Sequence, residues 1–305
     1  MTPPTIRDLL RAGEAHLRRN DVPNARRNAE WILCRSLSCT PLYLHVHSAD
    51  APDDENVSDY RDRIERRGNR EPLQYVIETA QFMSLEFEMS PGVFVPRPET
   101  ETLAELSLAM LSRAESTRES SVKSPARVEH VLDLCCGSGI VGVSIGYYRP
   151  SARVYAVDVN PNAVTLSRRN AVRAGVGGRF AACCCEATVA LEGAHGADWP
   201  DEFHLIACNP PYIASGVIHA LPPEVRDWDP QESLDGGTDG LGFYRRVAPV
   251  VGRRLAPGGV ILLEIGSDQG ESVRHILESV GFEAVRVHPD TAGRDRVVTA
   301  RRDTR

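Results

Sequence analysis

Asn209, Pro210, Pro211 and Tyr212 follow one another directly after the apolar stretch LIAC, and their types suit the capture of a planar nitrogen group. A proline has no N–H and restricts both its own backbone and that of the preceding residue, so the carbonyls of Asn209 and Pro210 have fixed directions. The Asn209 side-chain oxygen and the Pro210 carbonyl can accept the two hydrogens of an NH2 group, while the Tyr212 ring covers its face. The run therefore predicts a binding site for an amide or amino group.

A planar nitrogen of this kind is a poor nucleophile because its lone pair is delocalised. Two acceptors that hold both hydrogens help to localise the lone pair, and positioning beside an electrophilic methyl group can then supply much of the catalysis. We expect Asn209, Pro210 and Tyr212 to be the catalytic residues. No general base is needed before attack, because the nitrogen becomes acidic as it bonds to carbon and its proton can leave late, past Asn209, to water.

A second run, VLDLCCGSGIVG, places an apolar strand, an acid, a glycine-rich turn and the start of a helix in succession. Glycine suits such a turn because a Cβ atom would keep a ligand away from backbone that must bend sharply. Gly137, Gly139 and Gly142 have the GxGxxG spacing, which is compatible with NAD and with other adenosine cofactors. The run predicts a nucleotide-type cofactor site and leaves the cofactor open.

Two acids narrow the choice of cofactor. Asp158 ends the next predicted strand, nineteen residues after Gly139, where a carboxylate can accept hydrogen bonds from both ribose hydroxyls of either cofactor. Asp133 lies at the tip of the first strand, where it can face the cationic methionine part of S-adenosylmethionine but would repel a pyrophosphate. We therefore expect S-adenosylmethionine, with S-adenosylhomocysteine as the product. The alternative is that Asp133 only caps the backbone of the loop.

Strands and helices must bring these two loops together, and they alternate in the second part of the chain. Strands are predicted at 128–134, 154–157, 180–184, 205–208, 260–265, 282–288 and 296–300, and helices after residue 139, at 161–174, at 241–255 and up to residue 280. This alternation is typical of a doubly wound α/β fold with a parallel sheet, whose ligands bind at the carboxyl ends of the strands. The last two strands have no helix between them, so the final strand is expected to run antiparallel.

The first 70 or so residues are predicted to be helical. Apolar residues repeat at helical spacing on two faces, one formed by Ile6, Leu9, Leu10, Gly13 and Leu17 and the other by Ala25, Ala29, Ile32, Leu33 and Leu37. Asn24 is the expected N-cap of the second helix. A further helix should start after Asp53 or Asp54, bury Val57, Tyr60 and Ile64, and stop at Gly68 in a left-handed conformation.

The sequence also predicts three domain segments. A period of two between residues 73 and 95 predicts a β-hairpin linker, and the polar, serine-rich residues 112–126 predict a mobile loop. The expected division is therefore a helical domain at 1–72, a linker at 73–95 and an α/β domain at 96–305.

Composition excludes several classes of protein. A net charge of -7 and a pI near 5.8 argue against a protein that mainly grips a nucleic-acid backbone, so no direct nucleic-acid partner is expected. No apolar run is long enough to span a membrane and the first residues do not form a signal peptide, so we expect a cytoplasmic location. The eight cysteines form no CxxC pair and have no histidine at ligand spacing, so no metal is expected.

The Asn-Pro-Pro-Tyr run after a matched cofactor loop resembles the class I, Rossmann-like methyltransferases, which methylate planar nitrogens in DNA adenine, RNA or protein glutamine. Further strings select one branch: REPLQYV, FVPRPETE, DPQESLDGGTDGLGFYR, LLEIGSDQG and a terminal GRDRVV. Together they resemble the peptide chain release factor N5-glutamine methyltransferases, the HemK/PrmC family, over residues 20–301. Departures from the family pattern are Cys135, Cys136, Ala187, Asp229 and Ile265.

The resemblance implies a seven-stranded class I sheet with an antiparallel last strand and a helical-bundle N-terminal domain that helps to dock a class 1 release factor. The implied reaction transfers a methyl group to the side-chain amide nitrogen (N5) of the GGQ glutamine and supports translation termination, with a monomer as the expected form. The implied substrate-binding residues are Asn209, Pro210, Pro211, Tyr212, Arg97 and Glu99. The implied cofactor-binding residues are Asp133, Cys135, Cys136, Gly137, Ser138, Gly139, Asp158, Glu186, Ala187 and Asn209, with Glu186 close to the adenine.

Other functions stay open on the sequence. The same chemistry could act on the glutamine of a ribosomal protein, or on the N6 nitrogen of adenine in a nucleic acid, although an acidic chain is unsuited to the latter. A protein of another class, an NAD-dependent oxidoreductase or a non-catalytic adapter, would bind NADH or neither cofactor.

Overall fold

In the computed structural model, which describes residues 3–116, 128–193 and 199–302, the chain folds as two units. The first unit comprises Met1–Thr79, Met89–Pro91 and Pro222–Trp228, and the second comprises Ala80–Glu88, Gly92–Leu221 and Asp229–Arg305. A return of the chain to the first unit at 222–228 was not predicted from the sequence.

Twelve helices and nine strands lie in the described residues. The helices are α1 (Ile6–Arg19), α2 (Ala25–Ser36), α3 (Pro41–Val46), α4 (Asp54–Gly68), α5 (Leu73–Ile77), α6 (Glu101–Ser116), α7 (Ile140–Tyr148), α8 (Pro161–Arg173), α9 (Ala187–Leu191), α10 (Pro223–Arg226), α11 (Gly242–Val251) and α12 (Gly270–Ser279). The strands are β1 (Thr79–Phe82), β2 (Leu85–Glu88), β3 (Glu129–Leu134), β4 (Ala152–Asp158), β5 (Phe180–Cys184), β6 (Phe203–Cys208), β7 (Leu255–Glu264), β8 (Glu283–Pro289) and β9 (Asp295–Arg301).

The first unit is a set of helices around one apolar core, as the helical spacing predicts. The predicted faces of α1 and α2 are buried, with Leu37 partly buried at the end of α2. Asn24 occupies the predicted N-cap, but with a left-handed backbone (φ 53°) and without a side-chain cap bond. Asp53 caps α4, where its carboxylate accepts the backbone N–H of Asn56 at 2.8 Å. The predicted start of α4 is therefore confirmed.

The predicted end of α4 is wrong in one respect. Gly68 is the last helical residue, and the left-handed residue is Arg70, with φ 65°. The structure gives another reason for glycine at position 68. A Cβ atom there would lie 2.4 Å from His16 Nε2, so the glycine permits close packing of two helices rather than a left-handed turn.

The hairpin predicted over 73–95 begins later than expected. Residues 73–77 form α5, which starts directly after Pro72 and buries Tyr75 and Val76, and only β1 and β2 form the two-stranded sheet. The Pro72 carbonyl accepts the N–H groups of Tyr75 and Val76 at 3.0 and 3.1 Å, so the first turn of this short helix closes on the N-cap residue.

Two arginines and one glutamate join the returning segment to the rest of the first unit. Arg67 and Arg70 donate to the Glu224 carboxylate of α10 at 2.8 and 2.6 Å. Burial acts to raise the pKa of Glu224, but the hydrogen bonds from Arg70 and Arg67 outweigh it and hold that pKa at about 2. Arg70 begins the string REPLQYV, so part of that string has a structural role within this unit.

The second unit contains a seven-stranded sheet in the order β5-β4-β3-β6-β7-β9-β8. The strands β3 to β7 are parallel, and β9 pairs antiparallel with both β7 and β8. The predicted doubly wound α/β sheet with an antiparallel last strand is confirmed. Apolar side chains on both faces of the sheet are buried in two large clusters, as a parallel sheet covered by helices requires.

The register of the sheet brings the two predicted loops together. Asp133 is opposite Ala207 and Leu134 is opposite Cys208 in the parallel pair of β3 and β6. The loops that follow these strands therefore leave the same edge of the sheet from neighbouring positions, where ligands bind in open α/β sheets.

The serine-rich segment differs in part from its prediction. Helix α6 continues to Ser116, so the loop expected at 112–126 is wrong for residues 112–116, and the remainder lies outside the described residues. Among the residues that the structure describes, no helix has both the length and the apolar character that crossing a membrane requires.

Candidate active site

The loop after β3 is shaped by left-handed backbone. Cys135, Gly137 and Gly139 have φ angles of 57°, 53° and 83°, which places three residues of one short loop in a region that side chains disfavour. Glycine is required at position 139 for a second reason, because a Cβ atom there would lie 2.8 Å from the Cβ of Ser167. The loop thus turns sharply into α7, and its shape is a property of the backbone.

Asp133 is buried at the end of β3, with 1% of its surface exposed. Its Oδ2 accepts the backbone N–H of Gly142 at 2.8 Å, in the first turn of α7, where helical N–H groups lack partners. Burial, together with the charge of Asp158, raises the pKa of Asp133 to about 7. Asp133 therefore does cap backbone, as the alternative interpretation of this residue expects. Its contact with a cationic cofactor stays a prediction.

Asp158 ends β4 and links two loops by their backbone. Its Oδ2 accepts the N–H of Gly137 at 2.8 Å and its Oδ1 accepts the N–H of Asn160 at 2.9 Å. Burial raises the pKa of Asp158, although these backbone donors act in the opposite direction. Each carboxylate oxygen can accept a second hydrogen bond, and a Cβ built on Gly137 meets no heavy atom within 4 Å. This arrangement fits a dihydroxy group such as a ribose beside Gly137.

The remaining predicted cofactor residues differ in exposure. Glu186 is exposed and precedes α9, Ala187 is half-buried, and Cys135 is half-buried. The Cys136 side chain is buried in a small apolar cluster, and Ser138 is buried with its carbonyl accepting Asn170 Nδ2 at 2.9 Å. The backbone of Cys136 is also engaged within the protein, because its N–H donates to the Val157 carbonyl at 3.0 Å and its carbonyl accepts the N–H of Gly139 at 2.8 Å.

The loop after β6 is held by side-chain hydrogen bonds. Asn209 Nδ2 donates to Thr100 Oγ1 at 3.2 Å, so the Asn209 Oδ1 lies at the opposite end of the amide. The Tyr212 hydroxyl donates to Glu264 Oε1 at 3.4 Å, and the Tyr212 carbonyl accepts Gln269 Nε2 at 2.9 Å. Within the described residues, no backbone N–H donates to the Pro210 carbonyl. Asn209 Oδ1 and the Pro210 carbonyl are therefore available as acceptors beside Tyr212, whose hydroxyl and backbone carbonyl are both hydrogen-bonded.

Comparison with known proteins identifies the family. Family models match in two places: the PrmC N-terminal domain at residues 8–77 and the methyltransferase small domain at residues 116–221. The release factor glutamine methyltransferase of Geobacter sulfurreducens is 36% identical and aligns over 97% of this chain and 96% of its own. That of Moorella thermoacetica is 34% identical over 98% of this chain and 99% of its own. The chain belongs to the release factor glutamine methyltransferase family.

Solved structures add information about the fold alone. The hMettl16 catalytic domain, crystallised in complex with a MAT2A 3'UTR hairpin, matches with a TM-score of 0.54 at 11% identity and covers 83% of each chain. Together with the family, this similarity confirms the class I methyltransferase, Rossmann-like architecture predicted for this release factor glutamine methyltransferase family member.

Arg97 and Glu99, which the family string FVPRPETE contains, lie near the Tyr212 loop. Arg97 donates to Asp229 and lies over the Phe94 ring, with its guanidinium carbon 5.0 Å from the ring centroid. The charge of Arg97 acts on Tyr212, and that of the exposed Glu99 acts on Glu264. Burial raises the pKa of Asp229 to about 6, against the effect of Arg97. Their contact with a substrate stays a prediction.

Three side chains of the site are not indicated by any single-residue pattern in the sequence: Thr100, Glu264 and Gln269. All three contact the Asn209–Tyr212 loop from distant parts of the chain. The family strings FVPRPETE and LLEIGSDQG contain them, so the strings marked the correct segments without assigning a role to these residues.

Proposed function

We propose that this protein transfers a methyl group from S-adenosylmethionine to the side-chain amide nitrogen (N5) of the glutamine in the GGQ motif of class 1 peptide chain release factors. Membership of the family supports the reaction, because full-length relatives have the name release factor glutamine methyltransferase. The observation that supports it most directly is the orientation of Asn209, whose Nδ2 is held by Thr100 so that Oδ1 is available to a substrate amide.

Two acceptors of the loop after β6 hold the glutamine amide. Asn209 Oδ1 and the Pro210 carbonyl each accept one hydrogen of the amide nitrogen, and both hydrogens then lie in the amide plane. The nitrogen lone pair is thereby directed along the face that Tyr212 does not cover. A free amine, which at neutral pH has a third hydrogen and a full positive charge on nitrogen, fits this pair of acceptors less well.

The loop after β3 and the end of β4 would hold the cofactor. Asp158 would accept the ribose hydroxyls, the backbone of Gly137 and Gly139 would approach the ligand, and Glu186 would lie near the adenine. When bound, S-adenosylmethionine supplies a methyl group on a positively charged sulfur, and that sulfur takes the bond electrons as the methyl group leaves. The buried carboxylate of Asp133 would be stabilised in its charged form by such a cation.

The amide nitrogen loses a proton only after its bond to the methyl carbon has begun to form. Attack on the methyl carbon makes the nitrogen positively charged and acidic, and one of its two hydrogens is already hydrogen-bonded to Asn209 Oδ1. That hydrogen can pass to water beside the half-buried Asn209. The Pro210 carbonyl keeps the other hydrogen and holds the product amide in the same plane.

The test uses purified protein, methyl-labelled S-adenosylmethionine and an intact class 1 release factor. We expect label on the GGQ tryptic peptide, a mass increase of one methyl group on its glutamine, and no label when that glutamine is replaced by asparagine. An exposed-site variant, Glu271→Gln, serves as the active control.

Two further substrates, ribosomal proteins and an adenine-containing oligonucleotide, define the outcomes that would contradict the proposal. Buffer alone serves as the blank. Label on either alternative substrate and none on the release factor would move the assignment to that substrate. Calorimetric preference for NADH over S-adenosylmethionine would indicate an oxidoreductase.

A further inference from the structure

Glu264 is a buried acid that the proposed mechanism does not use. It is the last residue of β7 and only 1% of its surface is exposed. Its Oε1 accepts the Tyr212 hydroxyl, whereas Oε2 has no partner of good hydrogen-bond geometry among the residues that the structure describes. Arg296, the cation whose charge acts on it, donates instead to the Ile265 carbonyl at 3.0 Å and to Asp290 at 3.4 Å. A buried carboxylate without an ion pair is unfavourable and needs a reason.

Thr100 connects this acid to Asn209. Thr100 is fully buried and its Oγ1 accepts the Asn209 Nδ2 at 3.2 Å. A hydroxyl that accepts one hydrogen bond still has its own hydrogen to donate. Thr100 acts to lower the pKa of Glu264, so the two groups are neighbours, and the unpartnered Oε2 of Glu264 is an acceptor to which the Thr100 hydroxyl can turn its hydrogen.

The direction of these hydrogen bonds decides what a substrate meets. An ionised carboxylate can only accept, so a hydrogen bond between Thr100 and Glu264 is donated by Thr100, whose oxygen is then left to accept from Asn209, as it does in the structure. Asn209 then has its NH2 group toward Thr100 and its Oδ1 on the opposite side. If the amide were reversed, its NH2 group would face the hydrogens of a substrate amide, and two donors would oppose each other.

We propose that Glu264 is a positioning residue for methyl transfer: it fixes the Asn209 amide through Thr100 and the Tyr212 ring through its hydroxyl. The inference rests on the proposed function, in that it assigns Asn209 Oδ1 to the substrate amide. The inference also explains why a charged group is buried here. A carboxylate can only accept, so it sets one direction for the Thr100 hydroxyl, whereas a neutral group that both donates and accepts would allow either direction.

Protonation of Glu264 should weaken its hold on the orientation of the Asn209 amide. Burial raises the pKa of Glu264 to about 7, while Thr100, Arg296 and Tyr212 act to lower it and Glu99 acts to raise it. The groups that face Glu264 are Thr100, Tyr212, Arg296, Glu99, Tyr244 and Cys208. The charged form is present above this pKa, so kcat should rise with pH through about 7. Below it, a protonated carboxyl can donate to Thr100 and reverse the hydrogen bonds.

The experiment compares four variants of the full-length protein: Glu264→Gln, Thr100→Val, Thr100→Ser and the exposed-site control Glu271→Gln. Glu264→Gln and Thr100→Val should lower kcat by about tenfold or more, because each removes a hydrogen bond to a charged group. Cofactor Kd and Tm should change little, and Thr100→Ser, which keeps the hydroxyl, should retain most activity. The acid limb of the kcat profile should be absent in Glu264→Gln.

Several results would overturn the inference. One is full kcat in Glu264→Gln or in Thr100→Val. Another is an acid limb that survives in Glu264→Gln, which would assign it to a different buried acid, such as Asp133 with a pKa of about 7 or Asp229 with a pKa of about 6. A third is a decrease in Tm and in cofactor affinity that accompanies the decrease in kcat in these variants, which would indicate a structural role only.

A measurement without substrate separates this inference from the proposed function. The side-chain amide signals of Asn209 in NMR should shift with pH in the wild-type protein and stay constant in Glu264→Gln. Failure of the proposed function appears in the wild-type protein as the absence of labelled release factor. Failure of the inference appears as Asn209 signals that respond to pH equally in both proteins, whichever substrate is methylated.

Discussion

The two loops that leave neighbouring strands β3 and β6 form their sites in opposite ways. The loop after β3 is built from left-handed backbone at Cys135, Gly137 and Gly139, and the N–H of Gly137 donates to the Asp158 carboxylate. The loop after β6 contains two prolines, and it is held by side chains that approach from distant segments. One loop presents backbone that a ligand can approach closely, and the other presents fixed oxygen acceptors.

This difference matches the two chemical tasks that we propose for the loops. A cofactor that is bound before and after the reaction needs shape and steady hydrogen bonds. A nitrogen that must change from planar to tetrahedral needs acceptors that are already in place when its charge develops. Mutations in the two loops should therefore separate cofactor binding from turnover.

The largest expected effect is on turnover in Asn209→Ala. Loss of the Oδ1 acceptor should lower kcat roughly 10²–10³-fold, as removal of one preorganised hydrogen-bonding group does in other enzymes. Cofactor Kd should stay within a few fold, because Asn209 would act mainly on the substrate during reaction. Single-turnover kinetics and calorimetry measure the two quantities. An equal loss of both would show that the two loops do not have separate tasks.

An intermediate effect is expected on cofactor binding in Asp158→Ala. The substitution removes the acceptor for the N–H groups of Gly137 and Asn160 as well as the predicted ribose contact. Cofactor Kd should increase by about 10–100-fold, the effect of losing hydrogen bonds to a charged group. At saturating cofactor, kcat should decrease much less. Unchanged Kd in calorimetry would remove Asp158 from the cofactor site.

The smallest effect is expected from Gly137→Ala, with Gly139→Ala as its matched comparison. A Cβ added at position 137 meets no protein atom within 4 Å, so only the left-handed backbone is strained, at about 1–2 kcal/mol in the free energy of unfolding. Cofactor Kd should nevertheless rise several fold. The Cβ at position 139 would clash with Ser167 and should lower Tm further. A Gly137→Ala variant with normal Kd would place the cofactor elsewhere.

The parts of the site that lie close together in sequence could be predicted from it. The Asn209–Tyr212 run, the glycine-rich loop and Asp158 each follow a strand whose apolar pattern is local, and the order of elements implies a parallel sheet. Thr100, Glu264 and Gln269 could not be assigned in the same way. They contact the loop across 109, 52 and 57 residues of sequence, and no local pattern encodes such a contact.

The same reason explains the errors in the first unit. The left-handed conformation lies at Arg70 and not at Gly68, and the glycine instead leaves room for His16 of another helix. The role of residues 222–228 depends on Arg67 and Arg70, which are more than 150 residues away. Side-chain partners of this kind are established only when the chain is folded.

By itself, the sequence determined the α/β order, the two loops and the oxygen acceptors, because glycine and proline restrict the backbone wherever they occur. Only the tertiary structure decided which end of the Asn209 amide is free and that a buried acid lies behind it. The direction of a hydrogen bond depends on the partner at its other end, and for Asn209 that partner comes from a different part of the chain.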